Sequence, residues 1–402
     1  MLRIHLHHIT FIVAIVFSVS CNSKQVEVKG TIELVDGTST ITIPQGSYSN
    51  TIKISDFVSD LQVVPLELTS KSMLASIDKV FMSLDRVYVF DMIMGQIVIF
   101  NRNGEYVGSI ADKGQGPGEF NTITDFHVDL DRERLILYDR SLFKFIIFNL
   151  DGSFRQEVQK NIAGESITVD FQGNIIVFKN NWFPIDTQGA HYNISVLDSS
   201  YTIVKEFYPL NPLLIHWRHR AWDHFHKNNQ SNRILFNTYS DFNIYSISES
   251  NFEVAYKIDA GARATDFEQL FHDTPLPHIY NERLERINSI RGIDSFFESE
   301  DYIQFHFWDT ELRNVILDKK LNKIAVYSGF ENDIADHVIY RKIFGLDGDY
   351  VFLVGPPLSD NELRNKYGEC CIHEKRALSE SRDRGNPVLF IGKLDPVEEL
   401  FN

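Results

Sequence analysis

An internal repeat constrains this chain more than any other feature. Six copies of a short β-rich run lie along it, each opened by turn-forming or polar residues. They are Asp85–Asp91, Glu133–Asp139, Gly173–Phe178, Asn232–Asn237, Asp301–Phe307 and Asp347–Phe352. The spacing, about 40 to 65 residues, is that of propeller blades carrying insertions. Around the first copy the chain reads as four strands: Ile77–Ser83, Val87–Asp91, Gln96–Asn101 and Glu105–Ile110. Around the second it reads as Ile123–Asp129, Leu135–Asp139, Phe143–Asn149 and Phe154–Val158. Asn103-Gly104 and Asp151-Gly152 supply the positive φ angles of tight hairpins. Val, Ile, Tyr and Phe fill the runs, as in strands that bury side chains. One four-stranded sheet cannot cover both its faces, but six around an axis cover one another. The fold class is therefore all-β, a six-bladed β-propeller.

The sixth copy offers strands at Tyr340–Gly345, Tyr350–Val354 and Pro387–Leu394, with no fourth strand after them. The unclaimed run Leu61–Leu68 is expected to supply it as the outer strand, closing the ring. Pro65 suits an edge position because proline donates no ladder hydrogen bond.

Composition narrows the function classes. Hydrophobic residues make up 43% of the 402, ample for a large core. The formal net charge of -16 repels phosphate backbones and argues against nucleic acid as a partner. The N-terminus is tripartite: Arg3 in a short polar start, the apolar run Ile9–Phe17, then Ser18-Val19-Ser20-Cys21. The apolar run is too short to span a bilayer, which takes about 20 residues. It fits the apolar core of a secretory signal. Small residues ahead of Cys21 resemble a bacterial lipoprotein signal, although Ser18 stands where leucine is usual. The division expected is 1–21 signal with Cys21 as lipidation site, 22–46 tether, and 47–402 propeller. Cys370 and Cys371 are adjacent and form no C-x-x-C redox pattern.

The segment Lys113-Gly114-Gln115-Gly116-Pro117-Gly118-Glu119-Phe120 follows the Phe100–Gly104 turn, and Val64-Pro65-Leu66-Glu67 stands upstream. In combination they resemble the Bacteroidetes six-bladed β-propeller lipoproteins, relatives of the NHL-repeat propellers. The resemblance covers residues 50 to 160 well and the later blades by repeat pattern alone. It implies the propeller fold and an envelope location, and no reaction; with the anchor at Cys21, the expected place is the outer membrane. The glycine-rich segment is not a P-loop, since no Gly-Lys-Ser/Thr follows, and it reads as a tight inter-blade connection.

Strand polarity sorts the loops. Turns between strands a and b, and c and d, share one end of the ring and are short here. The b–c and d–a connections share the other end and carry the insertions: 179–191, 208–220, 259–293 and 355–385. Two of these hold helix-like tracts, at 280–290 and 361–378. Long loops concentrate where a scaffold does its work. Candidate ligand-binding residues at that end are Asp91, Asp139, Arg140, Trp182, Trp217, Trp222, Trp308 and Asp309, suited to a glycan or peptide. The metal candidates are His224 and His226, expected to project from the same side of a strand. No Gly-x-Ser-x-Gly elbow, His-Glu-x-x-His motif or EF-hand loop is present. The expected function is a binding or scaffold propeller of the envelope, with no cofactor evident. Its partners are the membrane and a glycan, a peptide or another envelope protein. The rival is a hydrolase or lyase with a divalent metal on the axis.

Overall fold

The computed structural model describes residues 31–46, 48–83, 85–182, 191–215, 223–248, 251–272, 289–334, 338–357, 385–396 and 398–401. They form six sheets, each with a four-stranded antiparallel core, arranged as a propeller. In blade 1, strands a to d are Lys79–Met82, Arg86–Asp91, Gln96–Asn101 and Tyr106–Ile110. In blade 2 they are Asp125–Asp129, Arg134–Asp139, Lys144–Asn149 and Phe154–Gln159. In blade 3 they are Ser166–Val169, Ile175–Phe178, Tyr192–Leu197 and Ile203–Pro209. Blade 4 comprises Phe225–Asn228, Arg233–Asn237, Asn243–Ile247 and Phe252–Asp259. Blade 5 comprises Ile293–Glu298, Tyr302–Trp308, Leu312–Asp318 and Lys323–Glu331.

Blade 6 takes strands a to c from Ile343–Asp347, Tyr350–Gly355 and Val388–Leu394. Its outer strand is Val58–Pro65, antiparallel to strand c with Pro65 opposite Val388. Ring closure is thus as the sequence indicates, with the strand starting three residues earlier than expected.

Burial explains the composition of the strands. Strands b and c read as continuous apolar runs, such as Val87-Tyr88-Val89-Phe90, because both faces of each blade are covered. Tyr88 and Ile99 of blade 1 share a core cluster with Phe126 and Leu135 of blade 2. Phe352 and Leu389 of blade 6 share one with Val87 and Val98 of blade 1. Phe120, fully buried in that first inter-blade cluster, anchors the end of the glycine-rich connection.

The stretch expected to be a tether behaves differently. Ile32–Val35 and Thr38–Thr42 form a hairpin, and Thr38–Thr42 pairs in parallel with strand d of blade 4. Ser49–Lys53 then pairs in parallel with strand d of blade 5. The N-terminal segment therefore straps the outer edges of blades 4, 5 and 6 in turn. Ile41 and Ile43 are fully buried in the core between blades 4 and 5, so residues 31–46 belong to the domain. Of the two helix-like tracts, 361–378 and most of 280–290 lie outside the described residues. The described part of the blade 4–5 connection holds a 3-10 turn, Gly261–Arg263, and a short α-helix, Phe267–His272. No helix among the described residues is long and apolar enough to cross a membrane.

Candidate functional site

Strand b ends on an aspartate in blades 1 and 2, and both aspartates are fully buried. Asp139 accepts hydrogen bonds from the amides of Asn121 (2.7 Å), Thr122 (3.1 Å) and Ser141 (2.8 Å), and from the Ser141 hydroxyl (2.7 Å). Asp91 accepts from the Ala75 amide (2.6 Å), the Ser76 hydroxyl (2.9 Å) and the Met94 amide (2.9 Å). Each staples its b–c turn to the chain leading into strand a of the same blade. Asp309 in blade 5 accepts from the Thr310 amide, Arg313 and Arg263. Burial raises its carboxyl, but the Glu311 amide, Arg263 and Arg313 outweigh that and hold it below the usual range. The oxygens of all three are engaged in holding the fold, as capping aspartates are.

Among the other candidates, Arg140 and Trp182 do meet. The guanidinium lies 4.5 Å from the indole centroid and pairs with Glu165. Trp308 packs against a small cluster of Leu214, Tyr239, Phe267 and Leu270. Trp217, Trp222, Cys21, Cys370 and Cys371 lie outside the described residues.

The histidines do not share a side. His224 precedes the first ladder pair of its strand and packs on Phe178 of blade 3, its Nδ1 2.9 Å from the Asn237 carbonyl. His226 turns toward blade 5, packing on Phe297 with Nε2 2.8 Å from the Glu298 carbonyl. The same-side rule holds within a strand, and His224 lies just outside it.

The glycine-rich connection has its donors occupied. The Gly116 amide donates to Glu119 (2.8 Å), and the Gly118 amide donates to Glu157 (2.9 Å), which also pairs with Lys144. Those carboxylates take the place an anion would need.

A different constellation lies on the axis. Where strand a begins, successive blades place Lys79, Asp125, Ser166, Asp223, Asp294 and Lys342. Lys79 Nζ lies 3.1 Å from Asp125 and 3.6 Å from Asp223 Oδ1, spanning blades 1, 2 and 4. Asp125 accepts from the Ser166 hydroxyl (2.7 Å) and the Ile167 amide (2.8 Å), tying in blade 3. Burial opposes the Lys79 charge, but Asp125 and Asp223 outweigh it and raise its pKa. Asp223 is shifted the other way, since burial raises its carboxyl more than Lys79 lowers it. Burial also pulls the Lys342 ammonium down to about 7, against Asp294, Asp223 and Asp78.

Below this ring the six inner strands enclose a chamber of about 190 Å³. Phe81, Phe225, Phe297 and Phe344 form much of its apolar wall, and Lys79, Asp223, His127 and Lys227 supply polar groups. The wall runs out to Leu130, Asp131, Asn229 and Asp347. These sit at the short a–b turns, the end opposite the insertions. His127 is only 8% exposed. Burial, then Lys79, Lys227 and Arg134, keep its imidazole neutral. His127 Nε2 and Asp223 Oδ1 are buried without a hydrogen-bond partner.

The ring does not suit a metal ion. The Lys79 ammonium stands where a cation between Asp125 and Asp223 would sit. Among the described residues no three His, Cys, Asp or Glu side chains are grouped to hold one. Each ring residue is isolated in sequence, and only the cyclic topology unites them. The sequence signal was a charged or polar residue within two positions of the start of each innermost strand.

A family model described as a domain of unknown function, DUF4934, matches residues 38–393. No match was found among curated proteins. Among solved structures, a presumed exported protein of Bacteroides fragilis is similar, with 16% identity and a TM-score of 0.68. The match covers 89% of this chain and 99% of that one, and at such identity it bears on the fold alone. A DUF4221 family member from Bacteroides vulgatus matches with 9% identity and a TM-score of 0.48, over 84% of this chain and 97% of that one.

Proposed function

The chain belongs to the DUF4934 family, and from that premise we propose that it is a ligand-binding propeller of the cell envelope, with the axial chamber as its binding site. The observation that carries this reading is the chamber itself. All six inner strands line it, Lys79 and Asp223 of the charged ring are among its lining residues, and His127 and Asp223 each hold a buried polar atom without a hydrogen-bond partner. Concave apolar sites with a few convergent polar groups are where proteins bind small molecules. At about 190 Å³ it falls below the roughly 300 Å³ at which drug-sized pockets begin, so the ligand is small.

Export and lipid anchoring at Cys21 belong to the same proposal. They are supported by the tripartite N-terminus and by the similar Bacteroides fragilis protein described as exported. The blade 4 hairpin begins at Ile32, so an anchor at Cys21 would hold that edge within about 40 Å of the bilayer. Labelling cells with a fatty-acid analogue should mark the wild type and not Cys21→Ser; equal labelling would remove the anchor from the proposal.

Binding is tested by a thermal-shift screen of small polar and amphipathic compounds on the chain lacking residues 1–21. Asn229 is exposed at the chamber mouth, so Asn229→Trp narrows the opening without disturbing the core. Compounds that stabilise the wild type should lose their effect on this variant. Stabilisation that persists in Asn229→Trp would move the site elsewhere.

A further inference from the structure

We infer that the axial chamber takes a small primary amine carrying an aromatic or apolar body. The inference rests on the chamber being the binding site and adds the chemistry of its occupant. The first argument is charge. The chamber is lined by two lysines, Lys79 and Lys227, and three aspartates, Asp131, Asp223 and Asp347. Lys79 is already satisfied by Asp125 (3.1 Å) and the Phe126 carbonyl (3.3 Å). Lys227 lies over the Phe171 ring and 3.8 Å from Asp131. Asp223 is the group left incomplete: Oδ1 has no hydrogen-bond donor, and Lys79 at 3.6 Å is beyond hydrogen-bond reach. A buried carboxylate oxygen left so is costly, and a ligand ammonium would relieve the cost.

The second argument is the count of donors and acceptors. A primary ammonium brings three N–H groups. The Asp223 carboxylate, part of the chamber lining, accepts one. Nε2 of the neutral His127 accepts another when Nδ1 donates to the Thr168 hydroxyl, 3.4 Å away. A carboxylate ligand would instead face Asp223 and a neutral imidazole, with Lys79 already committed. An alcohol brings only one donor, leaving one of the two atoms bare. The third argument is the wall, where Phe81, Phe225, Phe297 and Phe344 offer aromatic surface to an apolar body and ring faces to a cation.

The probes are 2-phenylethylamine, 2-phenylethanol and phenylacetate, titrated calorimetrically into the chain lacking residues 1–21 at neutral pH. The amine should bind on the order of tenfold or more tightly than the alcohol, and phenylacetate more weakly still. Asp223→Asn should erase the preference for amine over alcohol. Lys227→Gln, which removes a like charge from a position near the mouth, should tighten amine binding and gives a second readout if Asp223→Asn does not fold. An alcohol that binds as well as the amine, or a carboxylate that binds best, would overturn the amine assignment. It would leave the chamber standing if Asn229→Trp still blocked it. Failure of all three probes would overturn the amine assignment alone where the wider screen still finds a chamber ligand. If that screen is blank as well, the binding site falls too.

Discussion

Gly104 shows how single residues hold this ring shut. It turns the c–d hairpin of blade 1 at φ +87°, and a Cβ there would fall 2.1 Å from the Pro65 carbonyl oxygen. Its own carbonyl accepts the Glu67 amide at 2.8 Å. The hairpin of the first blade thus presses on the strand that closes the last. Gly104→Ala meets both left-handed strain, about 1–2 kcal/mol, and a backbone clash in the closing seam. The urea midpoint should fall by the equivalent of at least about 2 kcal/mol, and an unchanged midpoint would show that the seam is slack. Asp91, Asp139 and Asp309 belong to the same class of fixtures. From sequence an aspartate ending strand b looks the same whether it caps a turn or faces a ligand. Only the count of donors around each carboxylate separates the two.

At the scale of elements, the blades were legible because strand runs and Asn-Gly or Asp-Gly turns repeat in register. The closing strand was legible because one blade lacked a partner and one run lacked a blade. The strap was not. Thr38-Ser39-Thr40-Ile41-Thr42 is short and polar, and it pairs in parallel with a strand more than 200 positions away. Nothing local marks such pairing, so residues up to Gly46 read as a tether. The two readings differ in energy. Ile41 is fully buried, and Ile41→Ala should cost about 2–5 kcal/mol if the strap belongs to the core. Thermal or chemical unfolding that did not register the change would return the segment to tether status. The axial ring was missed for a related reason: its members are up to 263 positions apart, one per blade, and no spacing rule links them.

For the molecule as a whole, buried ionisable groups set the pH response. His127, His224, His226 and His306 have pKa values lowered chiefly by burial, His306 to about 3. The unfolded chain binds protons at these sites near pH 6.5 and the folded protein does not, so stability falls as pH drops below 6.5, for His306 until about pH 3. The slope approaches about 1.4 kcal/mol per pH unit for each such group. Asp223 and Asp347, raised by burial, work in the opposite direction on acidification. Above neutrality Lys342 titrates first: its folded value near 7 lies below the usual 10.5, so stability rises with pH until, near pH 10, tyrosines raised by burial such as Tyr138, Tyr239, Tyr245 and Tyr256 begin to oppose it. Unfolding free energy should therefore increase from about pH 7 to about pH 9 in the wild type. Lys342→Met should flatten that rise, and a slope unchanged by the substitution would place the alkaline response elsewhere.

The axial chamber is the centre of this account, and crystals of the chain grown with 2-phenylethylamine test it most directly. Density is expected inside the six inner strands, with nitrogen beside Asp223 and the ring among Phe81, Phe225, Phe297 and Phe344. A chamber filled by the protein's own side chains, with the amine bound elsewhere, would contradict it.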